Sequence, residues 1–87
     1  MIELSIDFNV VYTTTTPLII RSAPTICANK VTYENLTEDA KKHSNDSVLN
    51  SNTRVTPLEF RIIPDYVWLK IPSGWICAIE GNKKYIK

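Results

Sequence analysis

Cysteine and histidine are scarce in this chain of 87 residues, which has only Cys27, Cys77 and His43. Two cysteines are too few for the disulfide framework of small secreted scaffolds, so we predict two free thiols, with one bridge as the open alternative. A zinc site needs about four ligands, and no paired ligand motif accompanies His43, which we place in a solvated loop or at a helix end. A cysteine paired with His43 would lack a third, orienting group. We therefore predict no catalytic residue, no metal site and no cofactor.

An excess of charge and long apolar runs are also missing. Ten basic and nine acidic residues give a net charge of +1, which is far from the basic surface that neutralises nucleic-acid phosphates. No apolar stretch approaches the ~18 residues of a membrane-spanning helix, and the start does not have the basic and then apolar pattern of a signal peptide. We therefore expect neither nucleic acid nor a membrane as partner, and synthesis in the cytoplasm without a signal peptide.

The apolar residues that are present follow the periodicity of strands. Residues 2–10 alternate apolar and polar side chains, which predicts an extra N-terminal strand within residues 1–12. The threonines at 13–16 are predicted to form an exposed edge or turn. Short apolar runs separated by Pro, Gly, Asn and Asp follow at residues 18–20, 58–63, 67–71, 75–79 and 84–86. Together they predict one mainly all-β domain over residues 1–87, a small antiparallel barrel.

Residues 29–52 interrupt this pattern with a polar stretch. Thr37 is placed as the N-cap of one or two helical turns, with Glu38 and Asp39 in the first turn and Lys41 and Lys42 near the end. Ser and Asn residues that favour turns fill the remainder. The prediction is a long, partly helical insertion loop that connects the strands.

The aromatic side chains indicate a recognition surface. On residues 66–71, alternation sends Val67 and Leu69 to one face and Trp68 to the other. If the aliphatic face is the core, Trp68 and Trp75 lie outside it, where exposed rings commonly mark binding surfaces for sugars or peptides. The open alternative is that the loop covers both rings and forms a second small core.

Several fragments, in this order, resemble bacterial SH3 (SH3b) domains, which are appended to peptidoglycan hydrolases, autolysins and phage endolysins. LIIRSAPT at residues 18–25 resembles the opening L-N-V-R-S-G-P of that family, and TRV at 53–55 resembles its G-T-K-V strand entry. WLKI at 68–71, GWI at 74–76 and YI at 85–86 resemble its closing W-x-K-V, G-W-V and Y-L. Ile20 and Ala23 depart from the usual Val and Gly, the loop at 29–52 is longer, and residues 2–12 precede the motif.

The resemblance implies an SH3-like barrel that binds bacterial cell-wall peptidoglycan or wall glycan. Such a domain is not itself an enzyme; it holds a phage endolysin or bacterial autolysin at the wall, and a separate catalytic lysin domain supplies the chemistry. A homo-oligomer would strengthen attachment to the wall by avidity. The alternative is a small protein-interaction or assembly subunit that uses the same barrel.

Six residues form the predicted ligand-binding set. The resemblance points to Arg21, Trp68 and Trp75, where the arginine packs near the tryptophans and closes the barrel. The expectation of exposed aromatic rings adds three tyrosines that would line a groove: Tyr33, Tyr66 and Tyr85.

Overall fold

Short antiparallel strands make up most of the structure, a computed structural model that describes residues 10–87. A turn of 3-10 helix at Tyr33–Asn35 precedes α1 (Glu38–Lys42), the one α-helix within the described residues. The strands are β1 (Tyr12–Thr13), β2 (Leu18–Ile19), β3 (Ser44–Asn45), β4 (Val48–Leu49), β5 (Arg54–Val55), β6 (Glu59–Ile63), β7 (Tyr66–Ile71), β8 (Gly74–Glu80) and β9 (Lys83–Lys84). The prediction of a mainly all-β chain is confirmed. The strand predicted at residues 2–10 lies, except for its last residue, outside the described residues.

The largest sheet has the strand order β6-β7-β8-β9 and is antiparallel throughout. Tight turns join its neighbouring strands at the positions where the sequence predicts them. Asp65 has a φ of 70° in the first turn and Gly81 a φ of 58° in the third, whereas Gly74 follows the second turn with a φ of 147°. Positive φ angles allow a short turn to reverse the chain without splaying the strands.

A β-bulge alters which side chains of β8 reach the core. Val67 pairs with Ile79 and Trp68 pairs with Cys77, so Ala78 has no partner on β7. A bulge of this kind places two consecutive residues on one face of the sheet. Ala78 and Ile79 are accordingly both buried in the main core. Strict alternation would have sent Ile79 to the other face.

Two smaller sheets complete the strand pairing of residues 10–87. One joins β1 and β5, and the other has the order β2-β4-β3. Isolated bridges connect Thr14 with Ile86 and Arg21 with Trp75. The pairing of the described strands therefore gives three antiparallel sheets and no closed barrel.

One apolar cluster lies between these sheets and α1. On β7 it takes Val67, Leu69 and Ile71, as the alternation predicts. The other members come from α1, from five further strands and from residues next to them, and are Tyr12, Leu18, Ile20, Leu36, Ala40, Leu49, Val55, Ile76, Ala78, Ile79 and Ile86.

The stretch at residues 29–52 is more ordered than an inserted loop. Thr37 caps α1 as predicted, because its Oγ1 accepts a hydrogen bond from the N–H of Ala40 at 3.2 Å. The prediction of a connecting segment after the helix is wrong: β3 and β4 form a hairpin, and β4 also pairs with β2. Leu49 on β4 is fully buried, so this mainly polar stretch contains a strand that contributes to the core.

The threonine run at residues 13–16 differs in part from the prediction of an exposed edge or turn. Thr14 is fully buried, whereas its neighbour Thr15 is exposed. A polar side chain is buried without large cost when it is hydrogen-bonded, and the Thr14 hydroxyl has two such bonds.

Among residues 10–87, no helix has the length and apolar character needed to cross a membrane.

Candidate binding cleft

The two tryptophans of the predicted recognition surface are buried. Trp68 has 2% of its surface exposed and Trp75 has 8%. The expectation of exposed rings is therefore wrong, and the alternative agrees with the structure in that both rings are buried outside the main core cluster. Alternation along a strand reports which face a side chain occupies, but it does not report whether other segments cover that face.

The other predicted ligand-binding residues do not gather into one groove. Arg21 is bridged to Trp75 through backbone hydrogen bonds of 2.9 and 2.8 Å, and its Nη1 donates to the carbonyl of Ala28 at 2.9 Å. Tyr66 is half-buried and stacks on Trp68 with ring centroids 6.4 Å apart.

The remaining two tyrosines have separate surroundings. Tyr33 is exposed, and the ammonium group of Lys41 lies 5.6 Å from its ring centroid. Tyr85 is partly buried and packs against the main core. The six residues thus divide into the pairs Arg21–Trp75 and Tyr66–Trp68 and two isolated tyrosines.

A different feature has the form of a binding site: a cleft of about 380 Å³ beside α1. Its walls come from α1 and its N-cap, from the segment that contains β5, and from the turn between β7 and β8. The lining residues are Thr37, Asp39, Ala40, His43, Leu49, Thr53, Arg54, Val55, Thr56, Leu58, Ile71, Pro72 and Ser73. The volume falls within the range of about 300–1,000 Å³ that is usual for small-ligand pockets.

The floor of the cleft is apolar and belongs to the core. Ala40, Leu49, Val55 and Ile71 line it, and all four are buried members of the main cluster. Because core side chains are close-packed, such a floor is rigid and is formed before any ligand arrives. A preformed apolar floor favours binding because less conformational entropy is lost when the ligand docks.

Hydrogen bonds of two hydroxyl groups connect two walls of the cleft. The N–H of Thr37 donates to Ser73 Oγ at 2.9 Å, and that hydroxyl donates to Thr37 Oγ1 at 3.1 Å. Thr37 Oγ1 also caps the helix through Ala40. These bonds tie the start of α1 to the turn between β7 and β8, so the width of the cleft is held by hydrogen bonds between its two sides.

The rim of the cleft carries groups of both charges. Asp39 lies on the helix wall and Arg54 on the β5 wall, and both are exposed. Within residues 10–87 the ion pairs are Lys41–Glu38 and Arg61–Glu59, so neither rim charge is neutralised by an ion pair in that part of the chain.

His43 completes the rim at the C-terminal end of α1. It is exposed and forms the C-cap, with its N–H donating to the carbonyl of Ala40 at 3.0 Å. The prediction of a histidine at a helix end is therefore confirmed. Residues 10–87 contain no group of three or more His, Cys, Asp or Glu side chains arranged to hold a metal ion.

The two cysteines are free thiols, as predicted. Cys27 is exposed, whereas Cys77 is half-buried on β8. Burial and the nearby Glu80 carboxylate raise the pKa of the Cys77 thiol to about 11. Because the thiolate is the nucleophilic form, Cys77 is a poor nucleophile at neutral pH.

Sequence reasoning did not find the cleft, since its residues come from three separated segments and form no motif. The only local signal is the spacing of Asp39 and His43, four residues apart, which places them on the same side of a helix. Comparisons of the chain with protein-family models, with curated protein sequences and with solved structures give no match.

Proposed function

We propose that this chain is a non-catalytic binding domain that attaches a lytic enzyme to peptidoglycan of the bacterial cell wall. The observation that carries the proposal is the cleft beside α1, which combines an apolar floor with a rim of both charges. Wall peptides combine small apolar side chains with amino and carboxyl groups, and a cleft of this composition suits them. The cleft replaces the aromatic surface as the proposed point of contact, because Trp68 and Trp75 are buried.

We further propose that the sheets belong to an SH3-like barrel, as the resemblance implies. Backbone hydrogen bonds that link separate sheets support this arrangement. Thr13 and Lys87 exchange two such bonds, of 2.8 and 2.9 Å, which join β1 to the end of the chain. Tyr85 in turn donates to the carbonyl of Ala78 on β8 at 2.8 Å. β1 is thereby connected, through the C-terminal residues, to the largest sheet.

Sedimentation with purified Gram-positive cell walls tests the proposal. We expect the chain to pellet with intact walls and to be released when the stem peptides are removed enzymatically and the glycan is retained. Walls that lose their glycan-linked polymers but keep the peptides serve as the matched control and should still bind. If the chain stays in the supernatant with every wall tried, the proposed function is wrong.

One observation favours the second candidate function, a protein-interaction or assembly subunit. Leu58 and Ile62 are 57% and 58% exposed, and they lie on either side of Phe60, which is partly buried against the main core. Exposed apolar side chains in a row are typical of protein interfaces. Light scattering over a range of concentrations tests this candidate. If the chain self-assembles, and Leu58→Ser abolishes self-assembly without loss of wall binding, these residues serve oligomerisation.

A further inference from the structure

The charged groups of the cleft lie on different walls, Asp39 on α1 and Arg54 on β5. The N–H of Asn50 donates to the carbonyl of His43 at 2.8 Å, and the Thr53 hydroxyl donates to the carbonyl of Asn50 at 2.7 Å. These bonds connect the C-cap of α1 to the residue that precedes Arg54, so the helix wall and the β5 wall are linked.

The helix wall carries the carboxylate. Hydrogen bonds of 2.9 and 3.1 Å fix Thr37 to Ser73, and Asp39 lies two residues after Thr37 in the first turn of α1. The cleft therefore has a carboxylate on its helix wall, a guanidinium on its β5 wall, and buried aliphatic side chains in its lining.

Neither charge has an ion-pair partner among residues 10–87, where the ion pairs are Lys41–Glu38 and Arg61–Glu59. A ligand with one charge only would pair with one of these side chains and leave the other unpaired, whereas a ligand with two opposite charges is complementary to both. Arginine suits a carboxylate in particular, because its planar fork donates two parallel hydrogen bonds to the two oxygens.

We propose that the cleft beside α1 binds a short zwitterionic peptide of small residues, with its carboxylate on Arg54 and its ammonium group on Asp39. The peptide side chains then lie on the floor formed by Val55 and Ile71. This inference rests on the proposed function and specifies which part of a wall peptide the domain recognises: a segment with both a free amine and a free carboxylate. The cleft volume of about 380 Å³ limits the segment to a few small residues.

Titration of the full chain with three alanine tripeptides tests the inference by NMR chemical shifts. The probes are the peptide with free termini, its N-acetylated form and its C-amidated form. We expect the free peptide to shift the amide resonances of residues 37–43 and 53–56. Blocking either terminus of the peptide should weaken binding about three- to tenfold. This loss of affinity lies between that expected for an exposed ion pair and that expected for a charge-assisted hydrogen bond.

Two substitutions assign the ends. In Arg54→Gln the free and amidated peptides should bind equally, and in Asp39→Asn the free and acetylated peptides should bind equally. The matched controls lie outside the cleft: Arg61→Gln and Glu38→Gln remove the same charges elsewhere on the surface and should leave all three dissociation constants unchanged. If the free peptide produces no shifts in the cleft, or the amidated peptide binds the unaltered chain as tightly as the free one, the inference is wrong.

Wall sedimentation of the same variants separates this inference from the proposed function. If the unaltered chain binds walls, and Arg54→Gln and Asp39→Asn bind them equally well, then the cleft is not the binding site. The wall-binding function would still stand. Tripeptide binding in the cleft without sedimentation on any wall would do the reverse: the ligand chemistry would stand and the wall-binding function would fall.

Discussion

Replacing Thr14 with valine removes a buried polar link between the residue that follows β1 and the residues that precede β5. The Thr14 hydroxyl donates to the carbonyl of Asn50 at 2.9 Å and accepts from the N–H of Thr53 at 3.0 Å. Backbone bonds reinforce the link, since the Thr14 N–H donates to the Thr53 carbonyl at 2.9 Å and the Asn52 N–H donates to the Thr14 carbonyl at 2.7 Å. Thr14 itself is fully buried, so water does not replace a lost bond.

The magnitude follows from which groups lose their partner. The Asn50 carbonyl keeps a second bond, from the Thr53 hydroxyl at 2.7 Å, whereas the Thr53 N–H loses its acceptor. The lost bonds and the unsatisfied buried donor together cost about 2–4 kcal/mol. The extra methyl group of valine has nearly the same shape as the hydroxyl and returns about 0.8 kcal/mol by its burial. We expect Thr14→Val to lower the free energy of unfolding by about 1–3 kcal/mol, a large share of the roughly 4–13 kcal/mol typical of a chain this long.

Urea unfolding followed by tryptophan fluorescence measures the effect, because Trp68 and Trp75 are buried and become exposed on unfolding. With a urea m value of about 1–1.5 kcal/mol/M, the midpoint should fall by about 0.7–3 M. Thr15→Val is the matched control: Thr15 is exposed and its backbone bond to Tyr85 is retained, so the expected change is within about 0.5 kcal/mol. Equal midpoints for the two variants would refute the reasoning about Thr14.

Two further predictions concern a glycine and the cysteines. Gly74→Ala should destabilise the fold by at least about 2 kcal/mol in the same urea assay, because a Cβ there would lie 2.6 Å from the Arg21 carbonyl oxygen at a φ of 147°. Gly81→Ala meets no atom within 4 Å and should cost only the strain of its positive φ, about 1–2 kcal/mol; a larger loss for Gly81→Ala than for Gly74→Ala would contradict this comparison. At pH 8, iodoacetamide should label Cys27 and spare Cys77, whose raised pKa of about 11 keeps the thiol protonated. Since that folded-state pKa lies above the value of 9.0 for a free thiol, the contribution of Cys77 to stability is complete below about pH 9 and is lost as the pH rises through about 11. Mass spectrometry checks the labelling, and equal modification of both thiols at pH 8 would show that Cys77 is not protected.

Local chemistry was enough to predict the parts of the fold that depend on neighbouring residues. Thr37 was identified as an N-cap because a hydroxyl before a helix satisfies a free backbone N–H wherever that helix lies. The turns at residues 64–65, 72–73 and 81–82 were predicted because Pro, Ser, Gly, Asn and Asp favour turns between strands. Val67 and Leu69 were assigned to the core because alternation on a strand directs side chains to opposite faces.

Predictions that required knowledge of distant segments failed. Leu49 lies in a polar stretch, and only its pairing with β2 makes it a core residue. Trp68 was placed on the correct face of β7 but was expected to be exposed, whereas its exposure is 2% in the folded chain. The bulge at Ala78 changed the alternation of β8, and nothing in the residues around it predicts a bulge.

The sequence by itself determined the β-rich class, the helix cap and the turns, because periodicity, capping and turn preferences act between residues a few positions apart. Tertiary structure alone decided the cleft. Asp39, Arg54 and Ser73 come from three separated segments, and a cleft exists only where packing of the core brings those segments side by side and leaves space between them. Burial, the shape of the cleft and the placement of its charges depend on how distant segments pack together, so they cannot be read from a short stretch of sequence.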